Sequence, residues 1–171
     1  EAAGAMAGEV IRRDRRAGLA DFSHQDLANM VTSFSKWPQE EWSCHAIGAI
    51  AGQVGRRVAP GEFGLSDFNH QDLANMVNGF SKWPDEAVYR QATIKIAREL
   101  SRRDREEGLA DFTPQELANL VNGFSKCPDD ADYHEATVVI AREVIRRRAQ
   151  LPSFAYQNLT NLVNGFSKWP Q

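Results

Sequence analysis

One phrase limits what this chain can fold into: Asn75-Met76-Val77-Asn78-Gly79-Phe80-Ser81-Lys82-Trp83-Pro84. It occurs four times with few changes, ending at Pro38, Pro84, Pro128 and Pro170. Subtracting their numbers places its leading asparagines, Asn29, Asn75, Asn119 and Asn161, 46, 44 and 42 residues apart. A period of that size marks stacked helical repeats, because one two-helix unit cannot cover its own apolar face and must lean on neighbours. The 171 residues would suit a single compact domain, but the period argues for a rod whose units share a running core.

The expected fold is therefore all-α: a right-handed α-α superhelical solenoid of two-helix repeats, armadillo/HEAT-like, with about eight helices. Residues 1–18 read as the second helix of a truncated repeat, with 19–64, 65–108 and 109–150 as three full repeats. Residues 151–171 supply the first helix of another. Because the chain starts at Glu1 and both ends fall inside repeats, it reads as a piece of a longer protein. First (A) helices are expected at 24–37, 70–83, 114–127 and 154–169. Ser23 with Asp26, and Thr113 with Glu116, form capping pairs, and Pro114 sits where its missing N–H costs nothing. Asn69 caps the second copy, while Ala155 leaves the fourth to start at Ser153 or fray. Each A helix is expected to run to its Trp-Pro or Cys-Pro step, since proline disfavours helix in the residue before it. Second (B) helices are expected at 2–16, 40–58, 86–106 and 130–148, and Gly18 ends the first of them. The loop Ala59-Pro60-Gly61-Glu62 makes the first full repeat two residues longer than the second.

Stepping about 100° per residue along the second A helix gathers Leu73, Met76, Val77 and Phe80 on one side. Gln71, Asn75, Asn78 and Lys82 gather on the other. Small residues flank both, Gly79 on one side and Ala74 with Ser81 on the other, so adjacent A helices can stack closely. The polar stripe recurs as Gln25, Asn29, Thr32 and Lys36, as Gln115, Asn119, Asn122 and Lys126, and as Gln157, Asn161, Asn164 and Lys168. The B helices have drifted further, although the same duplications made them. Two readings of the stripe stand side by side: a partner-binding surface, or a ladder of amides bonding to one another and to backbone. The lysines read first as cations at the negative end of each helix dipole, and second as part of a binding surface.

Trp37, Trp83 and Trp169 are expected to plug the A–B junction, because Cys127 takes that place in the third repeat. The arginines ending the B helices (Arg12 and Arg13, Arg56 and Arg57, Arg102 and Arg103, Arg146 to Arg148) are expected to pair with Asp21, Asp67 and Asp111 in nearby linkers. His24 and His70 sit at helix starts in solvated or capping roles, and His45 and His134 stand without carboxylate or cysteine partners at ligand spacing. No GxSxG, P-loop, GxGxxG or HExxH occurs, so no catalytic, cofactor-binding or metal residue is assigned, and no small-molecule substrate. Cys44 and Cys127 lack ligand spacing and read as small core residues of a reducing compartment. A net charge of −3 gives no bulk attraction to nucleic acid or anionic lipid. Apolar runs are too short to span a membrane.

The phrase Phe-Ser-Lys-Trp-Pro after Leu-Ala-Asn-hydrophobic-Val-Asn resembles the SKWP repeats of large type III secreted effectors of plant-pathogenic bacteria. The likeness spans Leu19 to Pro170; Ser35–Pro38, Ser81–Pro84 and Ser167–Pro170 match in full, and Ser125–Pro128 departs at Cys127. It implies secretion into a host cell, presence in host cytoplasm and a role in virulence, and it carries over no catalytic residues to this chain. The expected function is a non-enzymatic interaction scaffold that binds a host protein through the A-helix polar stripe. Leu-Ala-Asn followed by Ser-Lys after five intervening residues is also similar to helical repeats that bind RNA in organelles, where varying A-helix residues read successive bases. The stripe here does not vary, and the chain is acidic, with a pI near 5.8. A spacer within a large multidomain effector is the third reading.

Overall fold

The computed structural model describes residues 1–56 and 64–169. Among them lie eight α-helices and two short 3-10 segments, with no strand. The helices are α1 (Ala2–Ala17), α2 (His24–Phe34), α3 (Glu41–Arg56), α4 (His70–Phe80), α5 (Ala87–Glu106), α6 (Pro114–Phe124), α7 (Ala131–Arg146) and α8 (Tyr156–Phe166). The A helices α2, α4, α6 and α8 pack in series to form one layer, and the B helices α1, α3, α5 and α7 form a second. Each A helix also packs on the B helix that follows it, through the pairs α2–α3, α4–α5 and α6–α7. Among the described residues the main helix–helix contacts fall on neighbours in series, which makes the fold a solenoid of two-helix repeats.

Packing follows the sequence periodicity. Leu73, Met76, Val77 and Phe80 are wholly buried, as are Ile47, Ile50, Ala51 and Val54 of α3 and Ala92, Ile96, Ala97 and Leu100 of α5. The small flanking residue is indispensable on one side. A methyl group built on Gly79 would lie 2.2 Å from Val31 Cγ1, one on Gly123 2.3 Å from Val77 Cγ1, and one on Gly165 2.4 Å from Val121 Cγ1. The A helices α4, α6 and α8 thus each lay a glycine on the valine of the A helix before it. Ser33 takes the glycine place in α2, where it is exposed and no earlier A helix packs.

The capping pairs form as expected. Ser23, Asn69 and Thr113 each accept the N3 backbone N–H, and Asp26, Asp72 and Glu116 each accept the cap's own N–H. Gly18 and Gly108 end their helices with φ of 76° and 78°, a conformation that costs glycine little. The A-helix ends differ from expectation. The α-helix stops at Phe34, Phe80, Phe124 and Phe166 rather than at the residue before proline. From there the chain tightens: Lys82 N–H donates to Gly79 O and Trp83 N–H to Phe80 O, bonds of the i to i−3 kind. Ser81 Oγ turns back to donate to Asn78 O at 2.9 Å, and Ser125 and Ser167 repeat it. The serine hydroxyl and the narrower turn satisfy the end carbonyls and release the chain before proline can clash with a regular helix. In the fourth copy neither Ser153 nor residue 154 opens the α-helix. Residues Arg148–Ser153 form a 3-10 segment and α8 starts at Tyr156, with Ala155 offering no side-chain cap. The expected long loop at 59–62, with Arg57 and Pro170, lies outside the described residues.

Candidate functional site

The open face of the A layer carries the polar stripe. Gln25, Gln71, Gln115 and Gln157 are exposed, as are Lys36, Lys82, Lys126 and Lys168. Asn29, Thr32 and Asn164 are exposed, while Asn75, Asn78, Asn119, Asn122 and Asn161 are half-buried between neighbouring helices. None is sealed between layers. Thr32 Oγ1 donates to Ala28 O at 3.0 Å, a local bond within its own helix. Among the described residues the asparagine and glutamine amides of the stripe bond to no protein group. The amide ladder weighed from sequence would need such bonds.

Every ion pair among the described residues uses an arginine or a histidine. The four stripe lysines are therefore without carboxylate partners there. They lie not in the last α-turn but in the 3-10 turn beyond it, at one edge of the face. The stripe itself holds no acid, but two acids follow each of its first three lysines within five residues: Glu40 and Glu41, Asp85 and Glu86, and Asp129 and Asp130.

The opposite edge is closed by pairs that sequence reasoning missed. His24 Nδ1 lies 2.8 Å from Asp72 Oδ2, and His70 Nδ1 lies 3.0 Å from Glu116 Oε2. Each histidine thus reaches the capping carboxylate of the next A helix, and its ring leans on Phe68 or Phe112. The solvated role expected for these histidines is corrected: they clamp repeats together. The signal was legible, since His24 and His70 share one repeat position and Asp72 and Glu116 another. Pro114 and Asn158 stand at those two positions at the next join.

The tryptophan expectation holds in part. Trp83 packs on Tyr89 of the following B helix, ring centroids 5.4 Å apart, and Tyr89 also stacks on Phe80. Trp169 is buried against His134 of α7, with Nε1 unpaired. Trp37 is 43% exposed and only leans on Trp42, so it does not plug a junction. Cys44 and Cys127 are half-buried rather than core: Cys44 Sγ lies 3.3 Å from the Tyr89 hydroxyl, and Cys127 lines the same junction in the third repeat. Burial pushes the Cys127 thiol up from its usual range, which makes it a poor nucleophile.

The arginines find other partners than the linker aspartates. Buried Arg103 bonds Glu99 at 2.7 Å and donates to the carbonyls of Leu65, Ser66 and Phe68 at 2.9, 3.3 and 2.6 Å. Arg147 repeats this with Glu143 and the carbonyls of Leu109, Ala110 and Phe112. The ends of α5 and α7 thus grip the linkers that lead into their own A helices, α4 and α6. Burial pushes Glu99 and Glu143 up, but bonds from Arg102 with Arg103, and from Arg147 with Arg146, outweigh it and hold both carboxyls below the usual range. Arg56 pairs with Asp14, and Arg146 with Asp104, joining successive B helices. Asp21, Asp67 and Asp111 are exposed and take part in no ion pair among the described residues. His45 does have a carboxylate near, with Nε2 3.9 Å from Glu41.

Among the described residues no group of three or more His, Cys, Asp or Glu side chains is placed to hold a metal. No helix there is long and apolar enough to cross a membrane. Set beside models of protein families, curated proteins and solved structures, the chain matches none.

Proposed function

We propose that this chain is a non-enzymatic interaction scaffold that binds a host protein through the polar face of its A helices. Following the resemblance of its repeats, it acts as part of a type III secreted effector in the cytoplasm of the host cell, where it contributes to virulence. One observation carries the reading: the amides of four successive A helices line one open face and bond to nothing in the described protein. Amides that face solvent with no bond to the described protein are free to exchange water for the groups of a partner. The glycine-on-valine stack supports the same view, since it holds the rows in register at no benefit to their exposed ends.

The test compares two changes of opposite character. Replacing Asn78, Asn122 and Asn164 together by alanine leaves helicity and melting temperature unchanged and abolishes capture of a cross-linked partner from host-cell lysate. Phe80→Ala, which empties a fully buried site, lowers stability by about 3–5 kcal/mol. A large drop in melting temperature for the triple asparagine variant sinks the docking reading in favour of a structural ladder. Failure of wild-type chain to capture any partner favours the spacer.

A further inference from the structure

We propose that the two ends of the array form one interface, filled by a second copy of this chain docked head to tail. The second copy's α1 serves as the B helix of α8, and its α2 follows α8 as the next A helix. The polar face takes no part, so the proposal stands apart from what that face binds.

Exposure marks the two ends. Five large apolar side chains are exposed among the described residues: Met6, Trp37, Ile145, Tyr156 and Val163. Met6 holds the α1 position that Ile50, Ile96 and Ile140 fill in the other B helices, where all three are wholly buried. It is 65% exposed, with no A helix before it among the described residues. At the other end, Val163 lies open where Val31, Val77 and Val121 are each covered by a glycine. Ile145 of α7 is 61% exposed, while Ser101, at the same position of α5, is buried facing α7. Leu159 and Phe166 of α8 are only half-buried, although Leu73, Leu117, Phe80 and Phe124 are buried under their B helices. Stacks of repeats stay apart in solution when polar faces cap them, and apolar ends invite another unit.

What one end lacks, the other carries. Among the described residues α8 is an A helix with no B helix after it, and α1 is a B helix with no A helix before it. Glu9 and Arg13 of α1 repeat Glu99 and Arg103, with the same 2.7 Å bond from the arginine Nε. Arg103 goes on to hold the carbonyls of Leu65, Ser66 and Phe68 in the linker before α4. Arg13 has no such linker, and its guanidinium rests over the Phe22 ring instead. The matching linker before α8, Leu151-Pro152-Ser153-Phe154, carries no arginine bond among the described residues. Head-to-tail docking brings Arg13 of the second copy to those carbonyls. Tyr156 sits where His24 and His70 sit, and they reach Asp72 and Glu116 of the next A helix. Its hydroxyl then points to Asp26 of the second copy, which caps α2 as Asp72 caps α4.

Two positions make this join weaker than an internal one. Ser33 stands where Gly79, Gly123 and Gly165 give way to a valine, so its Cβ meets Val163 and holds α2 off α8. Arg148 stands where Asp104 pairs with Arg146, and so faces Arg12 of the second copy. The join therefore forms and parts with concentration. Because it leaves one free end of each kind, addition continues instead of closing at a dimer.

The experiment is sedimentation velocity on the 171-residue chain across about a hundredfold range of concentration. The average mass is expected to climb past two chains. Met6→Glu blocks the head, and Ile145→Glu with Val163→Glu blocks the tail; all three side chains are exposed, so circular dichroism stays unchanged. Each blocked variant alone is monomeric, and an equal mixture of the two forms dimers and stops there. Ser33→Gly and Arg148→Asp, which restore the internal pattern, each bring association to about threefold or more lower concentration. A wild-type chain that stays monomeric throughout overturns the proposal, as does a mass that stops at two chains, the mark of a face-to-face dimer. Blocked variants that stay monomeric when mixed, or restoring variants that associate no more tightly, overturn it equally.

Discussion

At the scale of single residues, the telling position is the glycine four places after the leading asparagine. Glycine inside a helix costs about 1 kcal/mol relative to alanine, so its repetition needs a cause. The cause is the valine γ-carbon of the previous A helix, which occupies the space a methyl group would take. Gly123→Ala therefore destabilises by about 1–3 kcal/mol through overpacking, against the gain in helix propensity. Ser33→Ala, at the same repeat position on the exposed side of α2, changes stability by about 0.5 kcal/mol or less. Urea midpoints of the two variants check the contrast, and a stabilised Gly123→Ala removes the close-approach account. Sequence alone suggested small flanks for stacking. It did not say which flank was critical: Ala74 is buried and tolerates its methyl, while Gly79 has no room for one.

At the scale of elements, the B helix does more than back the A layer. Glu99 with Arg103, and Glu143 with Arg147, place a guanidinium one turn beyond a carboxylate, buried where the linker turns into the A helix. Removing one partner of such a buried pair leaves a charge and several carbonyls unmatched. Arg103→Met accordingly costs about 3–5 kcal/mol, whereas Arg105→Met, whose partner Glu135 is 3.6 Å away and exposed, costs about 1 kcal/mol or less. Denaturant titration separates them. The two glutamates also set a pH dependence. Their folded pKa values lie below the unfolded one of about 4.3, so their contribution is complete above that value and falls away as pH drops through the folded values. Stability measured in steps from about pH 6 to pH 3 falls most steeply below about pH 4.3. The double variant Glu99→Gln, Glu143→Gln starts lower at neutral pH and shows a shallower decline; an unchanged slope rejects this assignment. Sequence identified the arginines as structural but assigned them to the wrong acids. The carbonyls that Arg103 and Arg147 cap leave no trace in residue identity.

At the scale of the whole molecule, stability is a chain of nearest-neighbour joins. Val31, Val77 and Val121 are each covered by a glycine of the following A helix and have no exposed surface, whereas Val163 of α8 is 69% exposed. The last helix has one A-layer neighbour, no side-chain N-cap and little buried apolar surface. Amide hydrogen exchange is expected to grade along the array, with α4 to α7 slowest and α8 opening first. Uniform protection from α2 to α8 contradicts nearest-neighbour stability and points to one cooperative globule.

What the residues determined unaided is periodic: the repeat length, the alternation of A and B helices, the apolar stripe and the amide stripe opposite it. Local rules sufficed there, because a helix of 3.6 residues per turn sorts its faces by spacing alone. Tertiary structure decided whatever depends on a neighbour more than thirty residues away. It chose Asp72 for His24, backbone carbonyls for Arg103, and a valine for each glycine. It also left the stripe amides without partners among the described residues, an outcome that no spacing rule encodes, since which groups a side chain meets depends on what the completed fold brings within reach of it.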